Sequence, residues 1–287
     1  MILGLQVQRD RPNRTLTLNQ SLYIKGILQQ FKLQDAKPVT LPMADRNSLG
    51  KALPGELRAD QALYQSAIGA IGWVVRGTRW DIAYAVNQLA SYCSEPTIRH
   101  WNALIRVMRY LKGTAEYKLK LGASGAHGLK LQGFSDSDYA GDIDSRVSTT
   151  GGLFLLSGGP VVWMSSRQRC VSNSTGEAEY VAASEACKTA MWLRGLLREL
   201  NRPDYLGDTL QVPMYSDNTA CIAMAQDPVA HSRTKHIEVR YHYIRQLVAY
   251  RKITISYLPT EEMLADILTK PLPITAFKRC IKGYLEA

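Results

Sequence analysis

Long apolar runs and paired cysteines are missing from this sequence, and each absence excludes something. The longest apolar candidate, Ala67 to Val75, stops at Arg76, well short of the roughly 20 residues that cross a bilayer, so no membrane partner is expected. The start, Met1-Ile2-Leu3-Gly4, has neither a basic n-region nor a cleavage pattern. An intracellular protein, cytoplasmic or nuclear, is expected. Cys93, Cys170, Cys187, Cys221 and Cys280 lie far apart with no CxxC pair, which disfavours a zinc site and predicts reduced, mostly buried thiols. No internal repeat is visible.

What the sequence does contain fits a globular protein. Its 287 residues, 46% of them apolar, are enough for one large or two ordinary domains. The net charge of +10 predisposes the chain to meet a polyanion, although many basic proteins bind no nucleic acid.

Along the chain, Leu3 to Asp10 and Thr15 to Leu18 alternate apolar and polar around a turn at Arg11-Pro12-Asn13, which predicts a hairpin. A helix is expected from Asn19 to Leu33, then a Pro- and Gly-punctuated strap from Asp35 to Gly55. Helical patterns follow at Asp60 to Arg76, Thr78 to Tyr92 and Thr97 to Leu111. The basic side chains of the third, including Arg106 and Arg109, read as a solvated face, or as phosphate contacts if the neighbouring domain handles nucleic acid. The glycine-rich stretch Gly113 to Gly128 reads as a joint between domains. Beyond it the pattern predicts strands at Leu129 to Tyr139, Gly152 to Ser157 and Val161 to Ser166, and a long helix at Thr175 to Leu200. A strand at Leu210 to Ser216, helices at Thr219 to Gln226 and Thr234 to Tyr250, a strand at Ile253 to Leu258 and a helix at Glu261 to Thr269 complete it. That order is an α/β pattern with a mixed sheet.

Four acids stand out: Asp136 in the segment Gly133 to Asp142, Glu179 on the long helix, Asp217 at a strand end and Asp266 on the last helix. Carboxylates converging on one point repel unless a cation lies between them, which makes a hard-metal site the reading to test. Each has an ordinary explanation alone: a strand-end acid for Asp136, an N-cap for Asp217 and a surface acid for Asp266. Glu177 completes a capping box begun by Ser174, whereas Glu179 falls on the face of Ala182, Ala183, Ala186 and Ala190. Glu177 is expected opposite, with Ser184 and Lys188. A carboxylate in an alanine stripe needs a compensating charge, either a metal or an arginine in the core. A calcium loop around Asp138, Asp142 and Asp144 fails because Ala140 and Val147 stand where ligands are required. The metal reading requires the four side chains to meet without a basic residue filling the gap.

The segments Phe134-Ser135-Asp136-Ser137-Asp138-Tyr139-Ala140-Gly141-Asp142, Ser174-Thr175-Gly176-Glu177-Ala178-Glu179-Tyr180, Tyr215-Ser216-Asp217-Asn218, Arg233-Thr234-Lys235-His236-Ile237 and Ala265-Asp266-Ile267-Leu268-Thr269-Lys270-Pro271 closely resemble the ribonuclease H domain of copia-type retrotransposon Pol polyproteins. The first half resembles the carboxy-terminal part of their reverse transcriptase. Leu3-Gly4-Leu5 matches the hairpin after the palm, Gly77-Thr78-Arg79-Trp80-Asp81-Ile82-Ala83 a following helix, and Tyr110-Leu111-Lys112-Gly113-Thr114 the domain joint.

The resemblance implies a ribonuclease H-like mixed five-stranded sheet with flanking helices at 129–273, a linker at 116–128 and a tail at 274–287. A mainly helical thumb or connection segment with its N-terminal hairpin would occupy 1–115. It implies hydrolysis of the RNA strand of an RNA–DNA hybrid, with two Mg2+ ions, or Mn2+ as substitute, held by Asp136, Glu179, Asp217 and Asp266. His236 would be a helper, and Arg167, Arg169, Arg233 and Lys235 nucleic-acid contacts together with Arg106 and Arg109. The partners implied are the hybrid and a separate polymerase chain. Departures include Pro259-Thr260-Glu261-Glu262 where related enzymes carry a loop histidine, Tyr139 for Trp and Trp80 for Pro. No Tyr-x-Asp-Asp segment precedes the hairpin, so DNA synthesis by this polypeptide alone is not expected. The rival reading is a catalytically silent, nucleic-acid-binding relic; an integrase-like nuclease would normally need three acids rather than four.

Overall fold

A computed structural model describes residues 1–45, 49–122, 130–226 and 238–287, with side chains left out at 238–241. The chain forms two compact units, Met1–Leu121 with Pro271–Ala287, and Gly122–Lys270. Residues 274–287, set apart as a tail from sequence, belong to the first unit, and the expected linker region contributes a strand to it.

The first unit has an antiparallel sheet in the order β1 (Gln6–Asp10), β2 (Thr15–Asn19), β3 (Lys118–Leu121), β9 (Leu285–Glu286), of which only the hairpin β1–β2 was expected. Its helices are α1 (Ser21–Gln30), α2 (Gln61–Gly77), α3 (Ala83–Ala90), α4 (Ile98–Gly113) and α8 (Ile274–Ile281). Asp60 caps α2 by accepting from the Leu63 N–H. Thr97 and His100 form a capping box at α4, the imidazole standing in for the usual Glu. A 3-10 turn, Trp80–Ile82, interrupts the second expected helix. It carries Asp81, which is buried with Arg79. Arg79 grips both oxygens of Asp81 at 3.0 and 2.8 Å and the carbonyl of Thr114 at 2.9 Å, while the Tyr110 hydroxyl donates to Asp81 at 2.7 Å. Two segments distant in sequence, 79–81 and 110–114, are thereby locked together.

The basic side of α4 neither lies free nor forms one open face. Arg99 pairs with Glu56, Arg109 donates to the Lys37 carbonyl and Lys112 to that of Ala36, so the strap expected at 35–55 is held by these side chains.

The second unit contains the mixed five-stranded sheet expected from sequence, in the order β6 (Gly159–Arg167), β5 (Thr149–Leu156), β4 (Gln132–Asp138), β7 (Val212–Ser216), β8 (Ile253–Tyr257). The first three pair antiparallel and the last three parallel, so β4 is the centre where direction changes. The helix α5 (Thr175–Glu199) packs on β4 and β5, and the small side chains of Ala183, Ala186 and Ala190 in the shared core allow close approach of helix to sheet. Glu177 lies on the opposite face of the helix, as its spacing requires, but that face is not left to solvent along the first turns. Residues 177–184 are buried all round the helix, Glu177 and Ser184 included, because its first two turns sink into the unit. Helices α6 (Thr219–Gln226) and α7 (Glu238–Ala249) complete the unit. The helix expected at Glu261 to Thr269 is instead two 3-10 turns, Thr260–Glu262 and Leu264–Leu268, broken at Met263. All five cysteines are free thiols, with Cys187, Cys221 and Cys280 buried.

Candidate metal centre

Parallel pairing sets the site. Phe134 on β4 lies opposite Tyr215 on β7, so the residues two places further on, Asp136 within β4 and Asp217 just past the end of β7, come to the same end of the sheet. The turn Leu264–Leu268 brings Asp266 to them. Asp136, Asp217 and Asp266 each present a carboxylate oxygen within 4.8 Å of the others. Asp217 is free for this because Asn218, not Asp217, caps α6 by accepting from the Cys221 N–H at 2.9 Å. Asp142, by contrast, is a loop strut, accepting from Ser145 and pairing with Arg167 at 3.0 Å.

Glu179 stands beside this trio. One of its oxygens accepts from the Ser137 N–H at 3.2 Å, and the other, Oε2, is buried without a hydrogen-bond partner. No arginine or lysine pairs with Glu179 among the described residues. Burial, and then the charge of Asp136, push its carboxyl up to about 9. The same two causes push Asp266 up to about 7.

Two like charges 4.8 Å apart repel by about 3–4 kcal/mol at an effective dielectric of 20. The cluster therefore carries a deficit of positive charge that is only partly answered. Lys270 reaches it, with Nζ 3.0 Å from Asp266 Oδ1 and 3.7 Å from Asp136 Oδ2. Burial lowers the pKa of this ammonium, the charges of Asp136 and Asp266 raise it, and the net direction is up. One ammonium, a third exposed, does not neutralise four carboxylates, and Glu179 and Asp266 stay shifted despite it.

The donor set is all oxygen, without histidine or thiolate, which suits Mg2+ or Mn2+ rather than Zn2+. The orphaned Glu179 Oε2 is the kind of buried acceptor that a cation would satisfy. By donor chemistry Asp136, Glu179, Asp217 and Asp266 thus fit such an ion, but the condition that no basic residue stands among them is not met, since Lys270 bridges Asp136 and Asp266.

Neighbouring side chains fix the acids. Thr269 Oγ1 donates to Asp136 Oδ2, and Thr260 Oγ1 to Asp217 Oδ2 at 2.8 Å. Gly151, paired with Asp136 across β4–β5, admits the turn Leu264–Leu268: a Cβ there would stand 2.5 Å from Thr269 Cγ2 and 2.9 Å from the Ala265 carbonyl. Sequence reasoning overlooked Thr260, Thr269, Lys270 and Gly151. The available signals were Thr260 in the loop that lacks the histidine, the Thr-Lys pair following Asp266, and glycines interrupting a strand.

Of the residues expected at nucleic acid, Arg169 is exposed and Arg167 is tied to Asp142 and Ser145. Arg106 and Arg109 lie in the first unit. Arg109 holds the strap, and Arg106, its Nε buried without a hydrogen-bond partner, lines a pocket of about 280 Å³ with Leu49 and Arg99. Arg233, Lys235 and His236 lie outside the described residues.

No protein-family model matches the chain. It is 39% identical over 286 residues, 97% of its length, to the retrovirus-related Pol polyprotein from transposon TNT 1-94 of Nicotiana tabacum. It is 37% identical over 280 residues to that from transposon RE2 of Arabidopsis thaliana, covering 96% of this chain. The chain spans about a fifth of these relatives, 21% and 18%. Among solved structures, LC11-RNase H1 in complex with an RNA/DNA hybrid aligns with 49% of this chain and 94% of its own, at 17% identity and a TM-score of 0.35.

Proposed function

Since the chain belongs to the copia-type retrovirus-related Pol polyproteins, as a segment of them, we propose that its second unit is a ribonuclease H that hydrolyses the RNA strand of RNA–DNA hybrids. The observation that carries this reading is the meeting of Asp136, Asp217 and Asp266 within 4.8 Å beside a buried Glu179 oxygen that has no hydrogen-bond partner among the described residues.

Asp136, Glu179, Asp217 and Asp266 would hold two divalent cations, Mg2+ or Mn2+. When bound, such ions lower the pKa of attacking water and stabilise charge on the leaving oxygen of an in-line displacement. The chain's own contribution is positioning. Thr269 fixes Asp136 and Thr260 fixes Asp217, so two of the acids are held before substrate arrives and little reorganisation is left for the reaction itself. The Ser137 N–H orients Glu179 so that its second oxygen stays available. Arg169, exposed after β6, is assigned to a backbone phosphate; the nucleic-acid and helper roles of Arg233, Lys235 and His236 stay proposals from the family motif. A polymerase segment, elsewhere in the polyprotein or on a separate chain, is the proposed source of the hybrid.

The silent, nucleic-acid-binding relic is favoured by one observation, the ammonium of Lys270 against Asp136 and Asp266. Incubating the purified chain with a hybrid labelled on its RNA strand separates the two. Cleavage that requires Mg2+ and disappears in Asp136→Asn supports the nuclease. Salt-dependent binding without turnover supports the relic.

A further inference from the structure

Lys270 occupies a place that the proposed chemistry leaves unexplained. It follows Asp266 by one helical-type step of four residues, its side chain is a third exposed, and its Nζ faces Asp266 Oδ1 at 3.0 Å and Asp136 Oδ2 at 3.7 Å. The second of these oxygens also accepts a hydrogen bond from the Thr269 hydroxyl. A divalent cation shared by Asp136 and Asp266 must approach each ligating oxygen to about 2.1 Å, within reach of the same lone pairs that the ammonium addresses. Two positive groups cannot both sit there without repulsion. Lysine is suited to yield, because its charge rides on a flexible four-carbon stem whose outer part already meets solvent. An arginine in this place would form a planar, bidentate clasp on a carboxylate, as Arg79 does on Asp81 in the first unit.

We infer that Lys270 is a displaceable counter-ion: it holds Asp136 and Asp266 together before metal loading, and it weakens and delays binding of the cation that those two acids share. The inference rests on the proposed metal centre. Its consequence is unequal filling. A cation held mainly by Asp136, Glu179 and Asp217 meets less opposition, because the lysine stands nearer Asp266 than Asp136, and the one toward Asp266 enters only as the lysine swings out.

The test is titration of Mg2+ alone into the purified full chain by calorimetry, with no nucleic acid, together with thermal melting in EDTA. The chains compared are wild type, Lys270→Gln, Lys270→Arg and Asp136→Asn. Removing the charge in Lys270→Gln is expected to tighten binding at one position by about tenfold or more. It should also lower the melting temperature in EDTA and enlarge the rise on adding Mg2+. Lys270→Arg, which keeps the charge, should bind no more tightly than wild type. Binding in Lys270→Gln that is equal to or weaker than wild type, or an unlowered melting temperature in EDTA, overturns the counter-ion role while leaving the metal centre standing. If neither wild type nor Lys270→Gln binds Mg2+, and Asp136→Asn behaves as they do, the metal centre itself is wrong and the inference falls with it.

Discussion

Each unit of this protein buries acids, and the two treat them in opposite ways. In the first, Asp81 meets the guanidinium of Arg79, the hydroxyl of Tyr110 and a closed set of hydrogen bonds that also takes in Thr114. Charge and hydrogen bonds are both satisfied, and the result is a clamp. In the second, of Asp136, Asp217, Asp266 and Glu179 only Asp136 and Asp266 meet a lysine, itself partly exposed, and Glu179 Oε2 has no hydrogen-bond partner among the described residues. Burial alone therefore does not mark a functional acid. An unanswered charge does, because the chain has to hold it against repulsion.

Substitutions break this contrast in order of size. Arg79→Met leaves Asp81 buried and unpaired, and equilibrium denaturation of the full chain should show a loss of about 3–5 kcal/mol. Asp136→Asn should do the reverse to stability, since it removes one of several like charges, while hybrid cleavage in Mg2+ falls by at least about a hundredfold. A drop in apo stability like that of Arg79→Met would mean that the two sites are built alike. Gly151→Ala places a methyl against Thr269 and the Ala265 carbonyl, which should cost about 1–3 kcal/mol and reduce cleavage through misplacement of Asp266. Thr260→Val removes the donor on Asp217 and should weaken Mg2+ binding, measured calorimetrically, by about tenfold.

The smallest effect is on pH dependence. Glu179 and Asp266 titrate higher in the folded chain, about 9 and about 7, than in the unfolded one. The folded state then binds more protons at these two groups, so their contribution to stability in EDTA is fully present below the unfolded carboxyl range and is lost as pH rises through about 7 and about 9. Melting temperatures at several pH values in EDTA should follow that decline, and Mg2+ should flatten it. A stability that rises with pH across this window would contradict the raised pKa values.

Much of this arrangement was legible in the sequence, because strand periodicity and the alanine stripe of α5 are local patterns. The three strands before α5 and the parallel pair after it could be read in order, and order with handedness leaves few sheets to choose from. The placement of Glu179 on the buried face followed from helix geometry alone. The misses were non-local. Strand β9 exists only because residues near position 285 return to β3, a pairing no local pattern reports. The 3-10 form of 264–268 depends on packing beside Gly151, and Leu-Ala-Asp-Ile-Leu has ordinary helix propensity. Arg109 was read as solvated or phosphate-bound, and it instead donates to the backbone of a strap 72 residues away. Lys270 was visible next to Pro271, but its approach to Asp136 requires the fold.

The metal centre is tested most directly by diffraction from crystals soaked in Mn2+, using the ion's anomalous scattering. A peak about 2.1 Å from carboxylate oxygens of Asp136 and its neighbours is the predicted result, with Lys270 moved away wherever Asp136 and Asp266 share an ion. Saturating Mn2+ with no peak among Asp136, Glu179, Asp217 and Asp266, and Lys270 still against its two aspartates, would contradict it.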